Sequence, residues 1–367
     1  MNQKAGRWLA LALAPVMLIV GALPAEAGDT NRYADRSDWP DWAVTYHDRE
    51  RQYPKDGELA DAIRFELIRG YPVAPQDFMQ YEDREFRPQQ PMTRAEFAAV
   101  LSRSQALATA DGAGADWYVP YVEALRGRGI IPADASADWQ AVITRREAGQ
   151  WMGRAAEAFG ADVVQDASGF TDVDDALILR ALQSGIVKGT GAGLYEPDRA
   201  LLRVEAAVML VRLARARNAE GRAGDPGFVA GLQEVIREAD RQYTVENRRW
   251  VEQGEFDGLH LDGLLTPEFI SEYENAIRDE LLVKQIPPRS YNIVPEDSYR
   301  FEVVELHDSV AVIAACNLVK VYRASDPPEA PWFEETICAR QFFVYRDGLW
   351  QISAAADLHE ESSLNRR

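Results

Sequence analysis

Thr93-Arg94-Ala95-Glu96 opens an apolar helical run, Phe97 to Arg103, and the pattern recurs twice in the chain. Thr144-Arg145-Arg146-Glu147 precedes Ala148 to Arg154, and a degraded copy, Leu202-Arg203-Val204-Glu205, precedes Ala206 to Arg212. The copies start 51 and 58 residues apart. Self-similarity at a period of about 50 residues marks a repeat array.

Thr-x-x-Glu is a capping box. The threonine oxygen accepts from an amide in the first helical turn, and the glutamate reaches back to the amide of the N-cap residue. That role explains Thr93, Glu96, Thr144 and Glu147, and half of it survives in Glu205. The arginine is not required by capping. At the first helical position it sits beside the positive end of the helix dipole, an unfavourable place for a cation. A cation there, with free amides nearby, makes a receptor for a carboxylate or phosphate. The third copy lost its threonine and kept Arg203, so Arg94, Arg145 and Arg203 are candidate ligand residues.

Outward from the motif, the repeats span about 53–108, 109–161 and 165–217. In the first, Leu59 to Arg69 carries Leu59, Ile63, Leu67 and Ile68 at helical spacing and stops at Gly70-Tyr71-Pro72. Tyr71, Trp117 and Tyr195, with Gly70 and Gly189, lie near the helix ends, where aromatic rings can stack on a sugar and glycine lets backbone approach it.

These units resemble S-layer homology domains. The resemblance rests on Phe170-Thr171-Asp172-Val173, Trp117-Tyr118-Val119-Pro120-Tyr121, Gly129-Ile130-Ile131, Gly70-Tyr71-Pro72, Phe86-Arg87-Pro88 and the Thr93 motif. It implies an all-α pseudo-trimer, a helical spindle whose inter-repeat grooves bind anionic, often pyruvylated, secondary cell-wall polysaccharide. By carry-over Arg94, Arg145 and Arg203 would meet the anionic group, with Asp172, Trp117 and Tyr71 as further glycan contacts. There are departures. The first repeat inserts Val73 to Asp83, the second replaces the aromatic-Arg-Pro loop with Ala133 to Ala141, and the third has Leu202 for threonine. One or two working grooves are therefore expected rather than three.

A polar segment, 218–226, is expected to link the repeats to an α+β domain at 227–357, with a loose tail at 358–367. Val229 to Trp250 has the pattern of a long amphipathic helix, and Thr266-Pro267 that of a helix start. Strands are expected at Tyr299 to Leu306, Ser309 to Tyr322, Trp332 to Tyr345 and Leu349 to Ala355. A hairpin centred on Pro327 sets Cys316 opposite Cys338 and Lys320 opposite Glu334. The cysteines then form either a disulfide or two separate buried thiols, and the register favours the bridge. The pattern resembles the nuclear transport factor 2-like superfamily, which implies a cone around an apolar pocket. Tyr243, His260, Arg340 and Asp357 are polar residues that such a pocket would use; no diagnostic catalytic spacing joins them.

The N-terminus has the form of an export signal, 1–27. Lys4 and Arg7 precede the apolar Trp8 to Ala22, and Ala25-Glu26-Ala27 supplies a cleavage site ahead of a lead-in at 28–52. A formal charge of −19 opposes nucleic-acid binding, which needs clustered cations. Four scattered histidines, and no phosphate loop, His-Glu-x-x-His or nucleophile elbow, point to no cofactor, metal or catalytic residues. The expected protein is exported and bound to bacterial cell-wall polysaccharide, with no membrane span after cleavage. Its C-terminal domain is displayed to an unknown partner or ligand. The alternative is a wall-localised isomerase or hydrolase working in the C-terminal cone.

Overall fold

The computed structural model describes residues 44–48, 51–54, 57–72, 84–107, 114–135, 138–217, 221, 222, 225, 227–284, 290–323, 331 and 333–357. The expected export signal, most of the linker and the tail lie outside the described residues. Across the end of the expected lead-in, β1 (Val44–Asp48) pairs with β2 (Arg51–Pro54).

Three helix pairs follow: α1 (Glu58–Arg64) with α2 (Arg94–Ser104), α3 (Val119–Gly127) with α4 (Arg145–Ala158), and α5 (Ala176–Gln183) with α6 (Arg203–Ala216). Between α1 and α2 lie the two-residue strands β3 (Tyr71–Pro72) and β4 (Arg84–Glu85). Each second helix starts at one copy of the motif. The packing is not within pairs. The first helix of each pair lies against the second helix of the pair before it: α3 on α2, α5 on α4 and, closing the ring, α1 on α6.

The ring is tied at its axis by the residues just ahead of each motif. Met92 N donates to Leu201 O (3.0 Å), Ile143 N to Met92 O (2.9 Å) and Leu201 N to Ile143 O (3.0 Å), a closed triangle of backbone bonds. The helix starts are filled from the same loops. Arg94 N and Ala95 N donate to Ala141 O and Trp139 O, Arg145 N and Arg146 N to Arg199 O and Pro197 O, and Arg203 N and Val204 N to Gln90 O and Pro88 O. A helix start leaves its first amides without intrahelical partners. Here each neighbour's loop supplies them, so the amides expected to be free for an anion are already engaged.

The caps complete these starts. Thr93 Oγ1 accepts from Glu96 N (3.1 Å) while Thr93 N donates to Glu96 Oε2 (2.8 Å). Thr144 and Glu147 repeat the exchange at 3.2 and 3.1 Å. Leu202 has no acceptor, and the third start keeps only the bond from its N to Glu205 Oε2 (3.0 Å).

Helix α1 stops at Arg64, short of the expected Arg69, because Glu66 turns left-handed (φ 51°). The equivalent residues after α3 and α5 are Gly129 (φ 71°) and Gly185 (φ 73°). Glycine adopts this conformation without a side-chain clash; a glutamate there costs energy.

Beyond the ring come α7 (Phe228–Gln253), α8 (Pro267–Lys284) and a five-stranded antiparallel sheet. Its strands are β5 (Ser290–Ile293), β6 (Arg300–Leu306), β7 (Val310–Arg323), β8 (Phe333–Arg346) and β9 (Leu349–Asp357). Both β5 and β6 pair with one side of β7, and β8 and β9 continue from the other. The strand β5 was not anticipated from the sequence. Cys316 faces Cys338 across β7 and β8 and is bonded to it, and Lys320 Nζ lies 3.3 Å from Glu334.

Side chains alternate across a strand, and both faces of this sheet are covered. Ala311, Ile313, Ala315 and Phe343 join the core under α7 and α8. Val310, Val312, Phe342 and Val344 join the core of the helical ring. Phe65, just after α1, meets Phe342 edge-on at 5.4 Å. Polar bonds surround that contact. Glu66 accepts from Thr266 Oγ1 and from Arg346 Nη1 (2.8 Å), and Arg215 bridges Asp61 (2.8 Å) and Glu305 (3.0 Å). Residues on either side of the expected linker thus belong to one apolar core.

Candidate functional site

The three motif arginines take equivalent positions in the ring and have internal partners. Arg94 makes a two-pronged bond to Glu147, Nε to Oε1 at 2.7 Å and Nη2 to Oε2 at 3.0 Å. Arg145, 2% exposed, donates to Glu205 Oε1 (2.8 Å), Tyr195 O (2.9 Å) and Lys188 O (3.0 Å), and stacks 4.6 Å from the Tyr195 ring. Arg203, 4% exposed, lies over Tyr71 (4.6 Å) and Phe86 (5.3 Å) and donates to Arg69 O. Tyr71 Oη in turn donates to Glu96 Oε1 (2.8 Å). Each arginine is thus tied, directly or through Tyr71, to the capping glutamate of the next helix. The cation at a helix start has a structural reason that the linear sequence hid. Burial opposes ionisation of Glu147, but the bonds from Arg94 and from Thr144 outweigh it and hold the carboxyl below its usual range.

The other expected contacts are dispersed. Asp172 accepts from Tyr195 N (2.9 Å) and Glu196 N (2.7 Å), ordering the loop before α6; these amide bonds, the Tyr195 bond foremost, keep its carboxyl ionised below the usual range. Trp117 packs edge-on against Tyr118 and Tyr121. Tyr71 is clamped between Arg87 and Arg203, each 4.6 Å from its ring.

In the C-terminal unit, Tyr243 is 1% exposed and packs on Trp250 and Tyr273. His260 is largely exposed, 3.1 Å from Glu246, and Arg340 lies over Phe342. The side chain of Asp357 lies outside the described residues. A buried polar knot went unnoticed in the sequence: Asp240 accepts from Tyr299 Oη and from Asn317 Nδ2 (3.3 Å). Its members come from a helix and two strand regions far apart in the chain, so no local pattern marks them.

A cleft does form in the ring, with a volume of about 260 Å³. It lies where α2, α4 and α5 meet the loop before α4, and its walls include Arg94, Trp139, Glu147, Gln150, Trp151, Arg154 and Leu177. Trp151 stacks on Phe97 at 5.7 Å and leans on Trp139 at 6.2 Å, giving the cleft an aromatic wall. Of the three motif arginines, Arg94 lines this cleft, whereas Arg145 and Arg203 are almost wholly buried. Trp139, Trp151 and Arg154 were not singled out as ligand residues in the sequence. The signal for Arg154 was present: it closes its apolar run as Arg103 and Arg212 close theirs.

Among the described residues, no three His, Cys, Asp or Glu side chains gather as a metal site, and no helix is long and apolar enough to cross a membrane. No curated protein matches the chain. The family model for the S-layer homology domain matches residues 78–98, the segment that ends in the first motif and supplies Arg94 to the cleft.

Proposed function

We propose that this protein is held on a bacterial cell wall by an anionic wall polysaccharide seated in the cleft where α4 meets α2 and α5. The observation that carries the reading is the cleft itself. It combines an indole wall, Trp139 and Trp151, with two arginines, and it adjoins the segment that matches the S-layer homology domain. Indole faces supply the apolar surface on which a sugar ring stacks, and a guanidinium matches a carboxylate or phosphate. Residues of the C-terminal sheet share the apolar core of the ring. An active site in the C-terminal cone is less well supported, because Trp250, Tyr243, Tyr273 and Phe269 fill the space between sheet and helices.

Co-sedimentation of the full chain with purified wall sacculi tests the reading. The protein is expected to pellet with intact walls and to stay in solution with walls stripped of secondary polysaccharide. Equal pelleting with both would refute polysaccharide anchoring.

A further inference from the structure

The quasi-threefold ring provides its own internal controls. An arginine stands nine residues after each motif arginine: Arg103, Arg154 and Arg212. Each faces the first helix of the next repeat, at the residue eight positions before the left-handed turn: Tyr121, Leu177 and Glu58. Arg103 Nε donates to Tyr121 Oη at 2.9 Å. Arg212 donates to both carboxylate oxygens of Glu58, at 2.6 and 2.5 Å. At the third position the partner is leucine, which accepts nothing. Among the described residues Arg154 makes no hydrogen bond or ion pair, and it lines the cleft.

The surroundings keep it that way. Helix α5 is pressed against α4 at this level: a Cβ on Gly153 would lie 2.0 Å from Leu177 O, which sets the start of α5 beside Arg154. The nearby carboxylate of Asp175 is already occupied by Gln150 Nε2 (2.8 Å) and by Leu177 N (2.9 Å) at the start of α5. Arg94, on the opposite wall, is neutralised by Glu147. The uncompensated positive charge of the cleft is therefore that of Arg154, in a chain whose net charge is −19.

We propose that Arg154, rather than a motif arginine, is the anion receptor of the cleft. Its ligand is a saccharide bearing a carboxylate or phosphate, with the sugar against Trp139. The inference rests on the anchoring reading and sharpens it to one anionic subsite per chain. The two equivalent arginines are closed by Tyr121 and Glu58.

The test uses the full chain, intact sacculi and four variants. Arg154→Gln removes the charge. Leu177→Glu installs the partner that α1 supplies to Arg212 and quenches the charge without removing it. Arg103→Gln and Arg212→Gln are the controls. A charge-assisted bond lost from a binding site is expected to weaken retention about tenfold or more. Arg154→Gln and Leu177→Glu should both show this loss, and Leu177→Glu should do so without a lower melting temperature, while both controls are retained as wild type. Competition by a hexuronate oligosaccharide or by a sugar phosphate then identifies the anion. Wild-type retention of both Arg154→Gln and Leu177→Glu, or equal competition by a neutral oligosaccharide, overturns the Arg154 inference and leaves anchoring intact. Failure of the wild-type chain to pellet with intact walls overturns anchoring and this inference with it.

Discussion

Arg145→Ala is the sharpest test of the structural role of the motif arginines. The side chain is 2% exposed and makes three hydrogen bonds, to Glu205, Tyr195 O and Lys188 O, besides stacking on Tyr195. Removing one partner of a buried ion pair costs about 3–5 kcal/mol, mostly because the other partner is stranded. Glu205 is not wholly stranded, since Arg199 Nη2 also donates to it at 2.6 Å, which puts the expected loss near the lower end. Arg94→Ala breaks a more exposed pair and should cost about 1 kcal/mol. The assay is urea unfolding followed by tryptophan fluorescence. At an m-value of roughly 3 kcal/mol/M, Arg145→Ala should lower the midpoint by about 1 M and Arg94→Ala by about a third of that. A midpoint for Arg145→Ala within experimental error of wild type would refute the structural assignment. So would a larger loss for Arg94→Ala than for Arg145→Ala.

Four other outcomes are expected. The Glu66 carboxyl is pushed up to about 7 by burial, which outweighs the pull of Arg346; Glu268 adds to the rise, while Thr266 and Arg69 oppose it. An acid whose folded pKa exceeds its unfolded value stabilises the fold fully below about pH 4.5, and that contribution is lost as pH rises through about 7, on the order of 3 kcal/mol. Glu66→Gln, which cannot ionise, should therefore gain on wild type between about pH 5 and 8, and a pH-independent difference between the two would contradict this. Reducing the Cys316–Cys338 bond frees a loop closed across 22 residues and should cost about 3 kcal/mol, read as a lower urea midpoint in reductant. Phe65→Ala deletes a fully buried ring between ring and sheet, at a cost of about 3–5 kcal/mol, and should split one calorimetric transition into two. Wild type already unfolding in two steps would show that the shared core does not couple them. Gly153→Ala forces α5 away from α4 and should destabilise the fold by more than ~1 kcal/mol, whereas a neutral effect on melting temperature would be inconsistent with that close approach.

What the sequence makes legible here is what short-range physics controls. A capping box spans three residues, so Thr93 with Glu96 and Thr144 with Glu147 announce two helix starts without any tertiary information. Likewise, a hairpin's register follows from its turn, so the facing of Cys316 and Cys338 can be counted along the chain. The weak turn at Glu66 was missed because a glutamate gives no hint of a left-handed conformation; only the equivalent Gly129 and Gly185 show that a turn is needed there.

The ring was beyond such reading. That Arg145 finds Glu205, 60 residues away, depends on the starts of α4 and α6 meeting at the axis, and that Arg212 finds Glu58, 154 residues away, depends on α1 packing on α6. A sequence with three unexplained arginines looks like one with three ligand sites, because a charge's partner is set by distance in space rather than along the chain. The same holds for the sheet: alternation along β7 shows two apolar faces, but not that one of them is covered by the ring. The sequence alone thus determined two helix starts and the hairpin register, all of them local. Tertiary packing decided which cations are spent inside the fold and which one, Arg154, lines the cleft with no acceptor among the described residues, because α5 packs on α4 with Leu177 where the other two helix contacts offer an acceptor.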